Sequence, residues 1–307
     1  MPQIISSLNE LGVDLAYDNI SFSPLFFTPL MKIDNPQLYS LDANDYWKLQ
    51  FSDIRAYPQL GDSRKLRLNF SLSGEAVFNN ELYSLELAQA LTELQYSTEG
   101  FAELLIQAKD INLKGFAKTA QLSLLVQKSN LQSANKDAAL PSFSAALEFK
   151  DVNINTAANS PLSPHLKLFH LQADAIGELP WRDGLLTSLE NWSKSGGFVD
   201  IKNMVLQWKP LTLVGRGNLK LNSALLPNIS LNTSSKGLLR LLDDLQDLGI
   251  IDAKNVYVTK ILLSNKAYRL SPDDDELTIT TPISYTDGKI SIENLVIRDP
   301  NQQTLPQ

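Results

Sequence analysis

The sequence predicts a mainly β protein: a large, strongly curved antiparallel sheet, forming a groove or half-barrel, with two or three short amphipathic helices. Three observations predict this class. Apolar and polar residues alternate with a period of two in many segments, as in strands with one buried face and one wet face. Glycine- or proline-containing turns punctuate these segments. Two other segments place leucines at helical spacing.

Composition limits the classes of function. The chain has 307 residues, 43% of them hydrophobic and 20% charged, so it can bury a sizeable core. Its formal net charge of -7 is unsuited to nucleic acid, which is bound through a basic face, and we expect no nucleic-acid partner. It contains no cysteine, which excludes disulfides, thiolate zinc sites and cysteine nucleophiles.

Residues 1–180 are predicted to form an N-terminal antiparallel β region. In RKLRLNFSLSG (64–74) the apolar residues Leu66, Leu68 and Phe70 share one face. TAQLSLLVQ (119–127) and SFSAALEFKDVNIN (142–155) alternate in the same way. NNELYSLELAQALTELQ (79–95) fits a helix or a strand, and a strand is favoured weakly.

Residues 181–307 are predicted to form a C-terminal β region that continues the same sheet and carries helices near 184–195 and 236–249. RDGLLTSLENWSKSGG places Trp192 on the inner face and Gly196 at the helix end. In SSKGLLRLLDDLQDLG, Ser235 is a candidate N-cap and Gly249 the stop. The inward stripe of this second helix is Leu238, Leu241, Leu242, Leu245 and Leu248.

Two turns complete the C-terminal β region. LQWKPLTLVGRGNLKLN (206–222) indicates two strands that meet at Pro210, with Gly215 and Gly217 relieving crowding where the sheet bends. In SYTDGKISI, the dipeptide Asp287-Gly288 predicts a tight hairpin turn with positive φ angles.

The sequence carries no recognisable reaction chemistry. The glycines of GRG (215–217) lack the third glycine and the helix of a dinucleotide-binding loop. His165 and His170, five apart on a predicted strand, point to opposite faces and cannot share a metal. The acidic run 273–276 lacks the spacing of a calcium loop. We therefore expect a protein that is not an enzyme and has no cofactor or metal; a lone catalytic histidine paired with a distant serine is the alternative.

The C-terminal motifs carry a resemblance. The glycine pair of WSKSGG, the W-x-P-L-x-L-x-G-x-G-x-L step and the D-G-K-I-S-I hairpin resemble an uncharacterised proteobacterial envelope family, a domain of unknown function that is distantly similar to AsmA-like proteins. The likeness covers roughly residues 181–300. It implies a location on the periplasmic side of a bacterial inner membrane and an N-terminal membrane anchor, absent from this chain. A cytoplasmic location is the alternative.

The leading hypothesis is a non-enzymatic envelope protein that binds or transports lipid or acyl chains in an apolar β-groove. Large aromatic residues more often anchor a core, but the strands around Trp208, Leu213 and Leu219 are the candidates for a wall of that groove. The alternative is a structural or interaction module that docks an envelope protein on its sheet. A hydrolase ranks last, because no nucleophile–base pair can be named.

Overall fold

The computed structural model divides the chain into two compact units, which are described separately. Unit 1 comprises residues 1–130, 143–155 and 180–188, and unit 2 comprises the remainder. The residues that the structure describes are 13–24, 29–40, 47–59, 62–78, 81–97, 100–129, 141–156, 160–178, 185–269, 276–293 and 295–298.

Unit 1 is built from antiparallel strands, and the later ones are long. Strands β1 to β11 are Val13–Ala16, Asn19–Pro24, Pro29–Asp34, Gln37–Ser40, Trp47–Phe51, Asp53–Gln59, Asp62–Phe78, Glu81–Ser97, Gly100–Leu113, Ala117–Lys128 and Pro141–Ile154. They pair in the order β2-β3-β6-β7-β8-β9-β10-β11, and β5, β4 and β1 extend from a second stretch of β7. The four quoted segments of the N-terminal region lie in β7, β8, β10 and β11, so the prediction of strands there is confirmed.

Unit 2 is also built from antiparallel strands, and the longest of them has 12 residues. Strands β12 to β19 are His165–Ile176, Phe198–Trp208, Leu211–Leu221, Pro227–Lys236, Ala267–Tyr268, Thr278–Thr286, Lys289–Ile292 and Leu295–Arg298. They pair antiparallel in the order β12-β13-β14-β15-β17-β18-β19, with β16 also beside β17. The described part of the chain contains three helices: α1 Leu185–Lys194, α2 Leu238–Asp247 and α3 Ala253–Ser264. The predicted class, mainly β with an open antiparallel sheet and short helices, is confirmed.

Helix α1 is held by its tryptophan. Trp192 is 3% exposed and its Nε1 donates to the Ile176 carbonyl at 2.9 Å. A Cβ atom at Gly197 would lie 2.4 Å from the indole ring, so a side chain there would displace it. Gly196 has a φ of 81° just after the helix. The predicted inward Trp192 and the glycine stop are confirmed.

Most of the pattern predicted for helix α2 is confirmed, but the predictions for two residues, Ser235 and Leu248, are wrong. Leu242 is 1% exposed, and Gly249 has a φ of 67°, as a helix stop requires. The N-cap position belongs to Gly237, because Ser235 is still in strand β15 and donates to the Ile279 carbonyl at 3.4 Å. Leu248 is 39% exposed and not buried, because the helix ends at Asp247 and the chain leaves the packed face there.

Helix α3 was not located by the leucine spacing. The Asp252 side chain caps its N-terminus, accepting from the amides of Lys254 and Asn255 at 2.8 and 3.4 Å. The helix packs against α2 and strands β17 and β19 in one core. That core comprises the buried residues Leu238, Leu242, Ile251, Val256, Leu263, Ile279, Ile292 and Ile297.

The predicted turns are also present. Strand β13 ends at Trp208 and β14 begins at Leu211, with a cis Lys209–Pro210 bond between them. Asp287 and Gly288 have φ angles of 51° and 81°, both positive as in a type I′ turn, and link β17 to β18.

Gly217 permits a close approach of two strands. A Cβ atom there would lie 1.9 Å from the Ser230 carbonyl oxygen, which is neighbouring backbone and cannot rotate away. At Gly215 the nearest atoms would be the Thr233 methyl at 3.1 Å and the Asn232 carbonyl oxygen at 3.3 Å, which is tight but far less severe than the overlap at Gly217. The predicted relief of crowding is confirmed.

We predict that Gly217→Ala destabilises the protein by about 1–3 kcal/mol or more, because β14 and β15 must separate to admit the methyl group. Gly215→Ala is the matched control, with a smaller loss expected. The free energy of unfolding from urea titration compares the two. Equal losses for both variants would show that the backbone contact at Ser230 is not the cause.

We predict that Leu242→Ala lowers the free energy of unfolding by about 2–5 kcal/mol, because it opens a cavity under α2. Leu248→Ala, just after the last residue of α2 and at a position 39% exposed, removes the same atoms from a solvent-exposed site and is expected to cost under about 1 kcal/mol. Chemical denaturation measures both. Equal losses of stability in the two variants would contradict the prediction, because they would show that Leu248 contributes to the core as much as Leu242.

Candidate apolar binding surfaces

The three residues of the predicted groove lie on one face of unit 2. Trp208 stands opposite Leu211, and Leu213 opposite Leu206, so strand register places these side chains together. Leu219, six residues beyond Leu213 on β14, has the same parity. Trp208 is half-buried and its Nε1 donates to the Ser163 carbonyl at 2.6 Å.

The surroundings of Leu213 are closed. Leu213 is 5% exposed; Ser235, opposite it on β15, and Ile279, opposite Ser235 on β17, are each 1% exposed. In the next row Thr233 is 1% exposed and its hydroxyl donates to the Thr281 carbonyl at 2.8 Å. Trp208 and Leu219, in contrast, keep partial access to water. This part of unit 2 is a packed core with half-open flanks, and the groove assignment of the three residues stays a prediction.

A wider apolar surface lies in unit 1, on strands β7 to β11. Strand register aligns three rows of side chains on one face, each row taking one residue from each strand. We name this surface the five-strand apolar face. Its rows are Leu66, Leu94, Leu104, Val126 and Ala145; Leu68, Thr92, Ile106, Leu124 and Leu147; and Phe70, Ala90, Ala108, Leu122 and Phe149.

The five-strand apolar face is shielded only where its side chains are small. Ala90 and Ala108 are each 1% exposed and Thr92 is 6% exposed. Every other residue of the face, including Ile106 and Leu124 in its middle row, is only half-buried. A sheet face packed beneath a second protein layer buries its large side chains too. The large side chains of this face therefore keep partial access to water.

The alternation changes phase along these strands, and the apolar face continues beyond the change. Asp110 and Asp151 have φ angles of 52° and 53°, a left-handed conformation that aspartate tolerates better than most residues. On one side of these aspartates, Ala108 and Phe149 belong to the five-strand apolar face. On the other side the next buried residue of β11 is Val152, 8% exposed, which is three residues from Phe149 instead of two. A strict period of two does not predict such a shift.

The opposite face of the same strands is mixed, with Leu91, Leu105 and Leu125 among polar and charged residues. Arg67 of β7 pairs with Glu93 of β8 at 2.5 Å. A cleft of about 360 Å³ opens on this side, and its polar lining includes Gln107, Lys109 and Gln121. Ser123 and Glu148, at paired positions of β10 and β11, also line this cleft, and Lys150 binds the Glu148 carboxylate at 2.6 Å.

A second polar cleft lies beside Glu86 and Lys114, whose charged groups are 2.7 Å apart. Hydrogen bonds from Lys114 and Asn112 hold the pKa of the Glu86 carboxyl below its usual range. The same pairing raises the pKa of Lys114. Both groups therefore stay charged at neutral pH, as a surface ion pair does.

The residues considered for chemistry are dispersed. His165 and His170 lie five apart on β12 and face opposite sides, and Gly215 and Gly217 lie within strand β14. Among the described residues no group of three or more histidine or acidic side chains could hold a metal ion. Residues 273–275 of the acidic run lie outside the described residues.

Comparison with known families gives one match. Residues 27–295 match the model of a family described as "Uncharacterized protein conserved in bacteria (DUF2125)". The chain belongs to this family. The predicted membership of an uncharacterised bacterial family is thereby confirmed, and the match extends well beyond residues 181–300. Comparisons of this DUF2125 protein with curated proteins and with solved structures give no significant match. No helix in the described part of the chain is long and apolar enough to cross a bilayer.

We predict that Leu213→Glu unfolds the protein or lowers its free energy of unfolding by several kcal/mol, because the carboxylate enters a packed site with no route to water. Leu219→Glu, on the same face but half-buried, is expected to fold with a smaller loss. Thermal unfolding followed by circular dichroism distinguishes them. A stable Leu213→Glu variant would mean that the face opens at this point.

Proposed function

We propose that this DUF2125 protein is a non-enzymatic protein of the bacterial cell envelope that binds lipid acyl chains. The observation that supports it is the five-strand apolar face, where large aliphatic and aromatic side chains from five adjacent strands are only half-buried. On this proposal the apolar face of unit 1 is the principal binding surface, and the flanks around Trp208 and Leu219 belong to a smaller one.

The chemistry of the face suits an acyl chain. Thr92 supplies the single hydroxyl among its fifteen side chains, and it is buried. A ligand with polar groups along its length would lose hydrogen bonds to water without replacement there. An unbranched hydrocarbon loses none, and each methylene removed from water contributes about 0.8 kcal/mol. Five strands spaced about 4.8 Å apart give the face a breadth of roughly 19 Å, which accommodates extended chains.

The envelope location and the relation to AsmA-like proteins are parts of the same proposal. The matched family is bacterial, and we infer the relation to AsmA-like proteins from the C-terminal glycine, tryptophan and hairpin motifs. Long antiparallel strands with one apolar face suit a protein that shields hydrocarbon from water. The proposed location is the periplasmic side of the inner membrane.

A second candidate function, docking of an envelope protein by strand addition, is favoured by β2. Among the described pairings β2 joins only β3, so its other edge offers backbone groups to an extended segment. Phe22 on this strand is 71% exposed, which would give an added strand an apolar contact.

We predict that Leu124→Glu abolishes or weakens acyl-chain binding at least tenfold while the protein stays folded. Leu124 is half-buried in the middle row, so the carboxylate can reach water in the free protein but opposes hydrocarbon in the complex. Titration with a fluorescent fatty acid measures the affinity, and native mass spectrometry identifies lipid that co-purifies.

Leu125→Glu is the matched control, since Leu125 is the next residue of β10 and faces the opposite side. It should bind the fatty acid like the wild type. An unfolded Leu124→Glu variant would show that the face is a closed core, and equal binding by both variants would place the ligand elsewhere. Capture of one specific protein without lipid would favour strand addition.

A further inference from the structure

Helix α3 is apolar on two opposite sides. Its inner side consists of Val256, Thr259 and Leu263, exposed by 1%, 1% and 0%. Its outer side presents four further apolar side chains to solvent: Tyr257 at 68%, Val258 at 40%, Ile261 at 47% and Leu262 at 40% exposure. We name these four the outer face of α3.

The outer face is a contiguous patch that the fold does not need. Residues three and four apart on a helix are neighbours, so Tyr257 touches the position of Ile261, and Val258 those of Ile261 and Leu262. The inner side already fills the core of unit 2, and a helix at the surface of a domain ordinarily turns polar residues outward. An exposed apolar patch of this kind marks an interaction surface.

The two charged residues within α3 are basic, while the exposed Asp252 caps the start of the helix. The helix sequence AKNVYVTKILLS contains two lysines and no acidic residue, although the whole chain has a net charge of -7. Lys260 is bound by Asp243 of α2 at 2.7 Å. Lys254 is exposed and lies one turn before Tyr257 and Val258, at the border of the outer face. Acidic partners are therefore favoured.

We propose that α3 is an interfacial helix that inserts its outer face into the surface of an anionic lipid bilayer. Aliphatic side chains would enter the acyl boundary, the Tyr257 hydroxyl would remain at headgroup level, and Lys254 would lie beside lipid phosphates. The outer face of α3 is distinct from the five-strand apolar face. The proposal of membrane insertion can therefore be wrong while the proposal of acyl-chain binding holds, and the reverse.

The size of the outer face argues against a second copy of the chain as its partner. A stable protein interface takes about 800 Å² from each side, whereas four partly exposed side chains supply on the order of half that area. Shallow insertion into a bilayer needs no complementary protein surface, because lipid adapts to the side chains. A patch of this size, apolar with a basic border, therefore suits a membrane better.

The test uses vesicles and the absence of cysteine from the chain. Ile261→Cys introduces a single thiol that can carry an environment-sensitive fluorophore, and Asn232→Cys on the exposed polar side of β15 is the control. With phosphatidylcholine vesicles containing phosphatidylglycerol, emission at position 261 should shift to the blue and at position 232 should not. Absence of the shift at 261, or an equal shift at both positions, would overturn the proposal.

Unlabelled variants test the contribution of the patch. Tyr257→Ser with Ile261→Ser should lower the vesicle partition coefficient at least tenfold, while Leu226→Ser, a residue 54% exposed elsewhere in unit 2, should leave it unchanged. Because both sets of side chains lie outside the core, thermal unfolding should be unaffected. Lys254→Glu should weaken binding to anionic vesicles selectively. Wild-type partitioning by the double variant, or a dimer in sedimentation that this variant dissociates, would overturn the assignment of α3 to the membrane.

Discussion

The constraint on which the structure depends is the register between neighbouring strands. Because side chains alternate along a strand, a shift of one residue would send every apolar group to the other face. In unit 1 the register holds Leu68, Thr92, Ile106, Leu124 and Leu147 in one row across five strands. The inter-strand hydrogen bonds pair the backbone N–H and C=O groups. The aligned rows of apolar side chains then determine which face of the sheet excludes water. In unit 2, Gly217 has a similar effect, because it lets β14 approach the Ser230 backbone of β15 closely enough to pair.

Much of this arrangement could be predicted from sequence, because the signals are local. The period of two identifies strands β7, β10 and β11 without knowledge of their partners. Asp287-Gly288 specifies its hairpin because few residue pairs adopt two positive φ angles. The inward position of Trp192 could be predicted from the single apolar stripe of its helix, and the end of that helix from the glycine that follows. Each of these depends on residues close together in the chain.

The depth at which a side chain is buried, in contrast, depends on distant residues. Leu213 and Leu124 have the same alternating surroundings in sequence, yet Leu213 is 5% exposed in a packed row and Leu124 is half-buried. The difference lies in what covers each face, which strand periodicity does not report. Helix α3 escaped detection for a related reason: apolar residues on both sides erase the spacing that marks a helix, and only the Asp252 cap signals its start.

The two units deal differently with the same physical problem. A sheet with one apolar face must cover it with helices, another sheet or a ligand. In unit 2, α2 and α3 cover the end of the face around Ile279 and Ile292. In unit 1 the small residues Ala90 and Ala108 are shielded by their larger neighbours, while those neighbours keep access to water. Leaving so wide an apolar surface exposed would favour aggregation, so a layer that comes from outside unit 1 is the expected solution. The proposed acyl chain would form such a layer, because it needs no hydrogen-bonding partners and can follow the rows that strand register has already aligned.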